Sequence, residues 1–565
     1  MVVRRIFFCL CWGLGGSVCA QSTNAPLNAD YYHWIDRYEV KSGSLVKEIF
    51  TTVKPYKRSM IVAAIDSLQA KENIFQSTSD KYNLQYLNND NWEWSRAETS
   101  DSRKPVLKSL YRKKSDFYAV DETDFDLHIS PVLYFGVGND SRRNESVYIN
   151  TRGVEIRGMV DKRIGFYTFL SENQARLPQY ATNYSGTYGY NFVPHQGFWK
   201  VFKGTGVDYF EARGYLDFNI SKHVWMQFGH DRMYIGNGIQ SLIYSDFAPP
   251  SQFLRANVKI WKMNYLFQLS RMAATNNSPG GNRYPDKYMA FHHISINLGK
   301  KFNLGFFESV IFAPADSING GVFELSYLNP VIFYRAIEQQ NGSADNVILG
   351  FDWKWLIRKG LSFYGQFVLD EFLLHEVTSG NGWWGNKYGL QGGIKYIDVA
   401  GVQNLDLQLE GNVVRPYTFA HKNSFTSYAN FLQPIGHSLG ANFYEIAAIV
   451  RYQPLPKLNI TLKSSYAKTG RDNALGAVPS FDWGGDINKS YTLREQEYNN
   501  TLTQGIANEI IYNDLNISYM FRHNLYLDLK QVFRNSVSVD PVFNNNTSLT
   551  SVALRLNIAV RNYDF

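Results

Sequence analysis

Apolar and polar residues alternate along most of the chain from about residue 126 onward. The stretch FEARGYLDFNI (210–220) places apolar residues or glycine at its even positions and mostly polar residues at its odd positions. The same period of two recurs in VILGFDWKW (347–355) and LDLQLEGNV (405–413). Because successive side chains of a β-strand point to opposite faces, this alternation predicts strands that separate a polar from an apolar environment.

The connections between these segments predict the architecture. We count about 18 strands of about 10 to 14 residues, the length that a tilted strand needs to cross an outer membrane. Short turns alternate with long loops, which is typical of an outer-membrane β-barrel with short periplasmic turns and long extracellular loops. The turns are predicted at Asp161-Lys162, Ser221-His223, Trp261-Lys262, Lys300-Lys301, Arg358-Gly360, Asp398-Val402, Gln453-Lys457 and Arg522-Asn524. A large secreted β-solenoid or sandwich is the alternative, but neither requires this asymmetry.

Residues 21–125 have a different pattern, with apolar residues at helical spacing. KRSMIVAAIDSLQAK (57–71) predicts one helix, STSDKYNLQYL (77–87) a second and KPVLKSLYRKK (104–114) a third. The sequence therefore predicts a small, mostly helical periplasmic module at residues 21–125, followed by an antiparallel barrel at residues 126–565.

The first residues have the pattern of a secretory signal peptide. Arg4 and Arg5 precede an apolar run from Ile6 to Val18, and the small residue Ala20 closes a cleavage motif. We therefore expect residues 1–20 to be removed. All three cysteines, at positions 9, 11 and 19, lie in this segment, so the mature chain is predicted to lack thiols and disulfides. A large exported chain of this kind indicates a bacterial envelope, and the barrel pattern indicates its outer membrane.

The formal net charge of +7 looks evenly spread, which favours a solvated surface over a nucleic-acid interface. The chain has 38 Tyr, 38 Phe and 12 Trp, an excess that membrane barrels use in girdles at the two lipid interfaces. The final stretch SVALRLNIAVRNYDF (551–565) also alternates. It predicts a last strand that runs to Phe565, with a bulge near Asn562 to correct the parity.

No pattern predicts catalysis, a metal or a cofactor. Asp370 and Glu371 are adjacent strand residues and should point to opposite faces, as should His292 and His293. The chain has no Gly-x-Ser-x-Gly motif and no phosphate-binding loop, although carboxylates of separate loops could still converge on a glycosidic bond. The charged residues that face the lumen are expected to pair across neighbouring strands. They are Glu211, Arg213, Asp352, Lys354, Asp406 and Glu410.

The long loops contain the candidate binding residues. NGWWGNKYG (381–389) offers Trp383 and Trp384 between glycines, either as a stacking platform for sugar rings or as girdle or plug residues. The segment 329–346 predicts a helical turn from Val331 to Gln340 that folds into the barrel mouth. Its polar residues Arg335, Glu338 and Asp345 would then either plug the mouth or bind sugar hydroxyls and uronic carboxylates.

Several phrases resemble a known family. These are NTRGVEIRGMVDKRIGFYTFLSENQ (150–174), SYLNPVIFYRAIEQQNGSADNVILGFD (326–352), EGNVVRPYTFAH (410–421) and QPIGHSLGANFYE (433–445). They resemble the RemB group of gliding-associated outer-membrane proteins, within the wider Wzi-like capsule-assembly family. The glycine, serine and proline pattern of the loop FGHDRMYIGNGIQSLIYSDFAPPSQF (228–253) is also similar to that family.

The resemblance implies an 18-stranded barrel with a periplasmic helical bundle. It further implies a lectin-like role in holding capsular polysaccharide without cleaving it, and for the RemB group a part in surface motility. The family tends to have an aromatic pair where this chain has Met233-Tyr234, and proline where Ser438 stands.

We therefore expect a non-enzymatic barrel that contacts outer-membrane lipid and binds surface polysaccharide through its loops. The candidate contacts are Asp231, Tyr234, Trp383, Trp384, Arg415, Tyr417 and His421. An accessory subunit of a larger envelope machine, such as barrel assembly, type IX secretion or nutrient uptake, is the alternative. A passive diffusion pore is a third possibility, although the long loops and opposed charges predict a blocked lumen.

Overall fold

The computed structural model describes residues 22–95, 98–187, 192–274, 284–313, 325–330, 333–335, 345–371, 373–473 and 480–565. The predicted signal peptide and Gln21 lie outside these residues.

Eighteen antiparallel strands close into one barrel, as the alternation predicts. They are β1 (Phe125–Asp140), β2 (Val147–Val160), β3 (Ile164–Arg176), β4 (Gly206–Asn219), β5 (Val224–Asp231), β6 (Ser251–Ile260), β7 (Met263–Ala273), β8 (Asp286–Leu298), β9 (Phe302–Phe312), β10 (Asn346–Arg358), β11 (Leu361–Glu371), β12 (Lys387–Tyr396), β13 (Leu405–Val414), β14 (Phe443–Leu455), β15 (Leu458–Arg471), β16 (Ile506–Arg522), β17 (Leu525–Ser538) and β18 (Asn545–Leu556). The last strand pairs with the first, Leu556 opposite Leu133 and Leu549 opposite Asp140, so no edge remains.

The connections alternate in length around the barrel. All eight predicted turns lie between consecutive strands and share one end, which we call the short-turn end. The opposite, long-loop end includes the connections 177–205, 313–345, 415–442 and 472–505. The predicted asymmetry of the connections is therefore confirmed.

The two faces of the wall have opposite chemistry. On β10, Leu349, Phe351 and Trp355 are exposed on the outside, whereas Asp352 and Lys354 are buried on the inside. An apolar outer face suits lipid, because hydrocarbon cannot hydrogen-bond polar groups. The strand period of two therefore separates a lipid-facing surface from a polar lumen.

Within residues 22–95, three helices precede the barrel: α1 (Ala29–Ser42), α2 (Arg58–Gln69) and α3 (Thr78–Asp90). The second and third match the first two predicted helices, and α1 is additional. Asn28 caps α1 by accepting hydrogen bonds from backbone N–H groups, and Ser77 with Asp80 forms a capping box on α3. Among the described residues, no helix is both long and apolar enough to cross a membrane.

The third predicted helix is wrong. Residues 101–114 form a hairpin, in which Val106 and Leu110 exchange two backbone hydrogen bonds of 2.8 and 2.9 Å. Leu107, Lys108 and Tyr111 have positive φ angles, between 49° and 61°, which an α-helix cannot contain. A following strand, Tyr118–Asp121, pairs with the first residues of β1.

The helices close the short-turn mouth of the barrel. The backbone N–H of Leu45 donates to the carbonyl of Lys300, and that of Gly360 donates to the carbonyl of Val40, at 2.8 and 2.9 Å. The Ser79 hydroxyl donates to the carbonyl of Gln453 at 3.2 Å. Because these partners belong to three different turns, residues 22–95 form a stopper, which we call the helical plug.

The last strand is shorter than predicted. It ends at Leu556, and Asn557 has a φ of 53° that turns the chain into the lumen. There Arg561 lies 3.6 Å from Glu211, and the ring of Phe565 lies 4.1 Å from that of Tyr184. The prediction of a strand that runs to Phe565 is therefore wrong. Beyond the end of β18, the strand Tyr118–Asp121 already occupies the pairing edge of β1.

The remaining elements are short. They are the helices α4 (Gln179–Thr187) and α5 (Leu374–Ser379), the 3₁₀ turns Glu98–Ser100, Leu325–Leu328, Val399–Gly401, Ser424–Thr426, Tyr491–Leu493 and Pro541–Phe543, and the strands Val53–Lys54, Lys200–Phe202, Tyr234–Ile235, Ala429–Asn430 and Gln433–Pro434.

Candidate functional site

The loop between β5 and β6 enters the lumen. Its strand Tyr234–Ile235 pairs with Val53–Lys54 of the helical plug, and the N–H of Gly236 donates to the carbonyl of Thr52 at 2.7 Å. We call residues 232–250 the inward loop. It links the long-loop end of the wall to the plug at the other end, so the lumen is occupied along much of its length.

Lumen-facing polar side chains hold the inward loop. Glu410 accepts from the N–H of Ile239 at 2.7 Å, and Gln366 accepts from the N–H of Leu242 at 2.8 Å. Gly236 has a φ of 134°, and a Cβ there would lie 2.4 Å from Nε2 of Gln366. The Gln366 side chain could move away, so it is the φ angle, which residues with a Cβ rarely adopt, that requires glycine here.

Two of the predicted contacts support this loop. Tyr234 is 6% exposed, its hydroxyl donates to the carbonyl of Gly238 at 2.7 Å, and Nζ of Lys54 lies 4.7 Å from the centre of its ring. Asp231 accepts from Arg213 at 3.4 Å and from the N–H of Arg232 at 2.8 Å. Both side chains have internal partners, and a role for them in ligand binding stays a prediction.

The other five predicted contacts come together at the long-loop end. Trp383 and Trp384 lie in the loop after β11, and Arg415, Tyr417 and His421 follow β13. A third loop, 472–505, completes the group. We call the assembly the aromatic cluster, and it consists of Trp383, Trp384, Arg415, Tyr417, His421, Tyr491, Arg494 and Glu497.

Trp384 is the centre of the cluster. Its ring centre lies 5.7 Å from that of Trp383, 4.6 Å from Tyr491 and 6.3 Å from Tyr417. The Tyr417 ring meets it edge-on, at 88°, and the Arg494 guanidinium lies 4.3 Å from its ring centre. Trp384 itself is buried, whereas Trp383 is half-buried and has surface left for a ligand.

One carboxylate joins both tryptophans. Glu497 accepts from the indole N–H of Trp383 at 3.2 Å and of Trp384 at 2.8 Å. Burial alone would raise the pKa of Glu497, but hydrogen bonds donated by Arg494 and the two indoles outweigh it and hold the pKa below its ordinary value. Since its side chain is 46% exposed, this ionised group is available to a ligand.

Arg415 and Tyr417 hold the three loops together. The Arg415 guanidinium donates to the carbonyls of Asn386, Trp383 and Asn500, at 3.1, 3.4 and 3.3 Å. The buried Tyr417 hydroxyl donates to the carbonyl of Asp482 at 2.9 Å. These two residues therefore position the loops.

His421 lies at the edge of the cluster, with its ring centre 5.9 Å from that of Tyr491. Burial, with the nearby charge of Lys387, lowers the pKa of His421 to about 3. The ring is therefore neutral at neutral pH, and its Nδ1 lies 2.8 Å from the Thr426 hydroxyl.

The arrangement is suited to binding. It combines aromatic surface with the ionised groups of Glu497 and Arg494, the chemistry by which proteins hold sugar rings and hydroxyls. Sequence reasoning missed Tyr491, Arg494 and Glu497. These residues lie in a long irregular loop without periodicity, and only loop packing brings them to Trp384.

The predicted loop plug lies elsewhere. The N–H groups of Tyr334 and Arg335 both donate to Glu308 at 2.8 Å, and Tyr334 stacks on His292 at 4.6 Å. Glu308 and His292 are on the outer face, opposite in parity to the lumen-facing His293. The described part of this loop therefore covers the outside of β7–β10 and does not fill the mouth.

The other two residues predicted to plug the mouth are Asp345 and Glu338. Asp345 accepts from the hydroxyl of Tyr327, a residue of the same outer cover, at 2.8 Å. Glu338 and most of the predicted helical turn lie outside the described residues.

The expected pairing of lumen charges across neighbouring strands is mostly wrong. Lys354 binds Asp36 and Glu39 of α1, and Asp406 accepts from Arg37 of the same helix at 2.8 Å. Asp352 contacts His293, two strands away, at 2.6 Å. Glu410 holds the inward loop, and Glu211 contacts Arg213 of its own strand at 3.0 Å. The helical plug and the inward loop therefore supply partners that neighbouring strands were expected to supply.

Of the two pairs of adjacent strand residues, His292-His293 has diverging side chains and Asp370-Glu371 does not. His292 and His293 point to opposite faces, as predicted. Asp370 and Glu371 both reach Nζ of Lys387, at 3.0 and 3.4 Å, because the register shifts between Leu369 and Glu371. Across the described ranges, no group of three or more His, Cys, Asp or Glu residues is placed to hold a metal ion.

Comparisons with known proteins show the fold. No protein-family model and no curated protein matches the chain. Among solved structures, it is similar to Wzi of Escherichia coli, an outer membrane protein involved in group 1 capsule assembly and described as a carbohydrate-binding β-barrel. The TM-score is 0.57 at 14% identity, over 95% of this chain and 100% of Wzi. OccK8 (OprE) of Pseudomonas aeruginosa also matches, with a TM-score of 0.41 at 9% identity, over 76% of this chain and 97% of OccK8. The likeness to Wzi shows that the chain has the fold of an outer-membrane β-barrel.

Proposed function

We propose that this barrel is a non-enzymatic protein that binds or organises surface polysaccharide, capsular or exopolysaccharide, through the aromatic cluster. The observation that carries the proposal is that two separate loops bring together the five predicted contacts in one aromatic cluster. They are Trp383, Trp384, Arg415, Tyr417 and His421. Aromatic rings present flat apolar faces to the C–H groups of a sugar, and the charged groups beside them hydrogen-bond its hydroxyls.

The residues of the aromatic cluster have two different roles in this proposal, contacting the sugar and positioning the loops. The half-buried Trp383 supplies the contact surface, and Glu497 and Arg494 supply hydrogen-bonding groups at its edge. Trp384, Arg415 and Tyr417 are buried or have backbone partners, so they hold the surface in place. Because these side chains are already fixed before a ligand arrives, the site loses less side-chain entropy on binding than a flexible site would.

The likeness to Wzi, which is described as carbohydrate-binding, supports the same ligand class. The proposal places the long-loop end outside the cell and the helical plug on the periplasmic side, in agreement with the usual asymmetry of outer-membrane barrels. A link to gliding motility rests on the resemblance of the sequence phrases. An accessory role in a larger envelope machine, with other envelope proteins as partners, is the alternative.

The test uses a double substitution with a matched control. W383A with W384A removes the platform, and W261A removes an exposed tryptophan of the short-turn end. We expect the double variant to retain about ten-fold less surface polysaccharide on cells and to bind the purified polysaccharide correspondingly more weakly, as hot-spot aromatics do. W261A should behave as wild type.

Both proteins should stay heat-modifiable on gels, which shows that the barrel is folded. Wild-type retention by a folded double variant would contradict the proposal.

A further inference from the structure

A basic hairpin projects from the short-turn end of the barrel. Residues 101–114, which we call the basic hairpin, are held by a hydrogen bond from the N–H of Ser102 to the carbonyl of Arg112 at 2.8 Å. Further along, Val106 and Leu110 exchange two backbone hydrogen bonds. The hairpin is therefore an ordered projection with a tip at residues 107–109.

The hairpin concentrates positive charge. It contains six cations and one aspartate, a net charge of +5 in a chain whose total is +7, so the expectation of an evenly spread charge is wrong. The cations are Arg103, Lys104, Lys108, Arg112, Lys113 and Lys114. Lys113 pairs with Asp101 at 2.7 Å. Within the described residues, no ion pair neutralises Arg103, Lys104 or Lys108, and all three are exposed.

The tip is apolar. Leu107 is 81% exposed and Val106 is 43% exposed, next to the free cations. Apolar residues held in water beside basic ones are typical of segments that lie in a membrane interface, where the apolar groups leave water and the cations meet lipid phosphates.

The base of the hairpin is fixed at the rim of the wall. Asp116 accepts from the indole N–H of Trp92 at 2.6 Å and lies 3.1 Å from His128 of β1. The strand Tyr118–Asp121 then continues the wall below the end of β18, and Tyr118 is exposed there. The chain thus leaves the barrel where the lipid-facing surface meets the short-turn end.

We propose that the basic hairpin docks on the anionic phospholipid surface of the leaflet at the short-turn end. Arg103, Lys104 and Lys108 bind lipid phosphates, and Leu107 enters the interface. A membrane suits the hairpin better than a soluble anion because the apolar tip also requires a place away from water. The contact would tether the helical plug to the membrane as well as to the lumen.

A single fluorophore tests the contact in the full chain. Since the three cysteines all lie in the predicted signal peptide, L107C provides one labelling site for an environment-sensitive dye. L493C, at a leucine 63% exposed in a long loop, is the matched control. Both proteins are placed in nanodiscs of phosphatidylcholine, with or without phosphatidylglycerol, and quenched with doxyl-labelled lipid.

We expect the dye at position 107 to shift to the blue and to be quenched in anionic discs only, while the control dye stays in water. Combining L107C with R103Q, K104Q and K108Q should abolish the quenching, and high salt should weaken it. R142Q with K200Q and K203Q, which removes three exposed cations of the long-loop end, should leave it unchanged.

Three results would overturn the proposal. They are an absence of quenching in anionic discs, equal quenching in discs of phosphatidylcholine alone, and unchanged quenching after the three hairpin cations are removed.

Discussion

The two ends of the barrel are built with different chemistry. At the short-turn mouth, Arg37 of α1 is 3% exposed and binds Asp80, Asp398 and Asp406. At the long-loop mouth, aromatic rings meet one another, and the carboxylate of Glu497 remains half exposed. Buried, fully paired charges hold the plug rigidly, whereas a half-buried ring such as that of Trp383 can exchange water for a ligand. The difference fits a plug at the short-turn end and the proposed polysaccharide site at the long-loop end.

The first prediction concerns how firmly the helical plug is held in the short-turn mouth. R37A removes a cation that three carboxylates share, although Lys41 still lies 2.8 Å from Asp80 and 3.0 Å from Asp398. We therefore expect the plug to lose about 3 kcal/mol of docking stability, the lower end for broken buried pairs. The proteolysis of residues 22–95 in folded barrels, and conductance in planar bilayers, measure this loss. R142A, which removes an exposed arginine of the long-loop end, is the control. Unchanged protection of the plug in R37A would contradict this account, and polysaccharide binding should not change.

The second prediction concerns the link between the two ends. E410A removes the acceptor of the Ile239 N–H and of the Tyr364 hydroxyl, at 2.7 and 2.9 Å. Leaving these buried donors without a partner should cost about 1–3 kcal/mol. We expect the inward loop to show faster hydrogen exchange and the barrel a larger conductance. E509A, at an exposed glutamate, is the control, and equal exchange in both variants would show that Glu410 does not hold the loop.

The third prediction sharpens the role of the aromatic cluster. E497Q keeps an acceptor for the indoles but removes the charge. Because Glu497 is partly exposed and screened, we expect polysaccharide affinity to fall only about three-fold. Titration of the purified polysaccharide measures this change, and E509Q is the control. If E497Q weakens binding as much as loss of both tryptophans, the carboxylate and not the rings would be the main contact.

The fourth and smallest prediction concerns pH at the long-loop end. Burial, with the charge of Asp472, raises the pKa of Asp482 to about 7 and that of Asp486 to about 6. Since these values exceed the ordinary 3.8, the folded loop favours the protonated forms, and its stability falls as pH rises from about 4 to about 7. Hydrogen exchange of residues 480–489, corrected for its intrinsic pH dependence, should therefore increase over this range.

D482N should flatten that increase, and exchange in α1, at the other end, should not follow the same curve. An increase of equal size in D482N would assign the effect to other groups.

Part of the candidate site could be predicted from the sequence. Trp383 and Trp384 were found because two aromatic residues between glycines in a long loop indicate exposed aromatic surface. The sequence around Tyr491 and Glu497 gives no such signal, because their contacts with Trp384 join residues more than a hundred positions apart. Tyr234 shows the opposite case, since a loop residue predicted at the surface is buried beside Lys54 of the helical plug.

The sequence alone determined the barrel. A period of two, eight short turns and the predicted helices at 57–71 and 77–87 are local features, and the structure reproduces them because strand alternation and helix capping depend on near neighbours. Only the tertiary structure decided that the helices plug the lumen, that residues 557–565 turn inward and that three loops join at Trp384. These contacts join residues that meet only after the barrel has closed, and no local pattern encodes them.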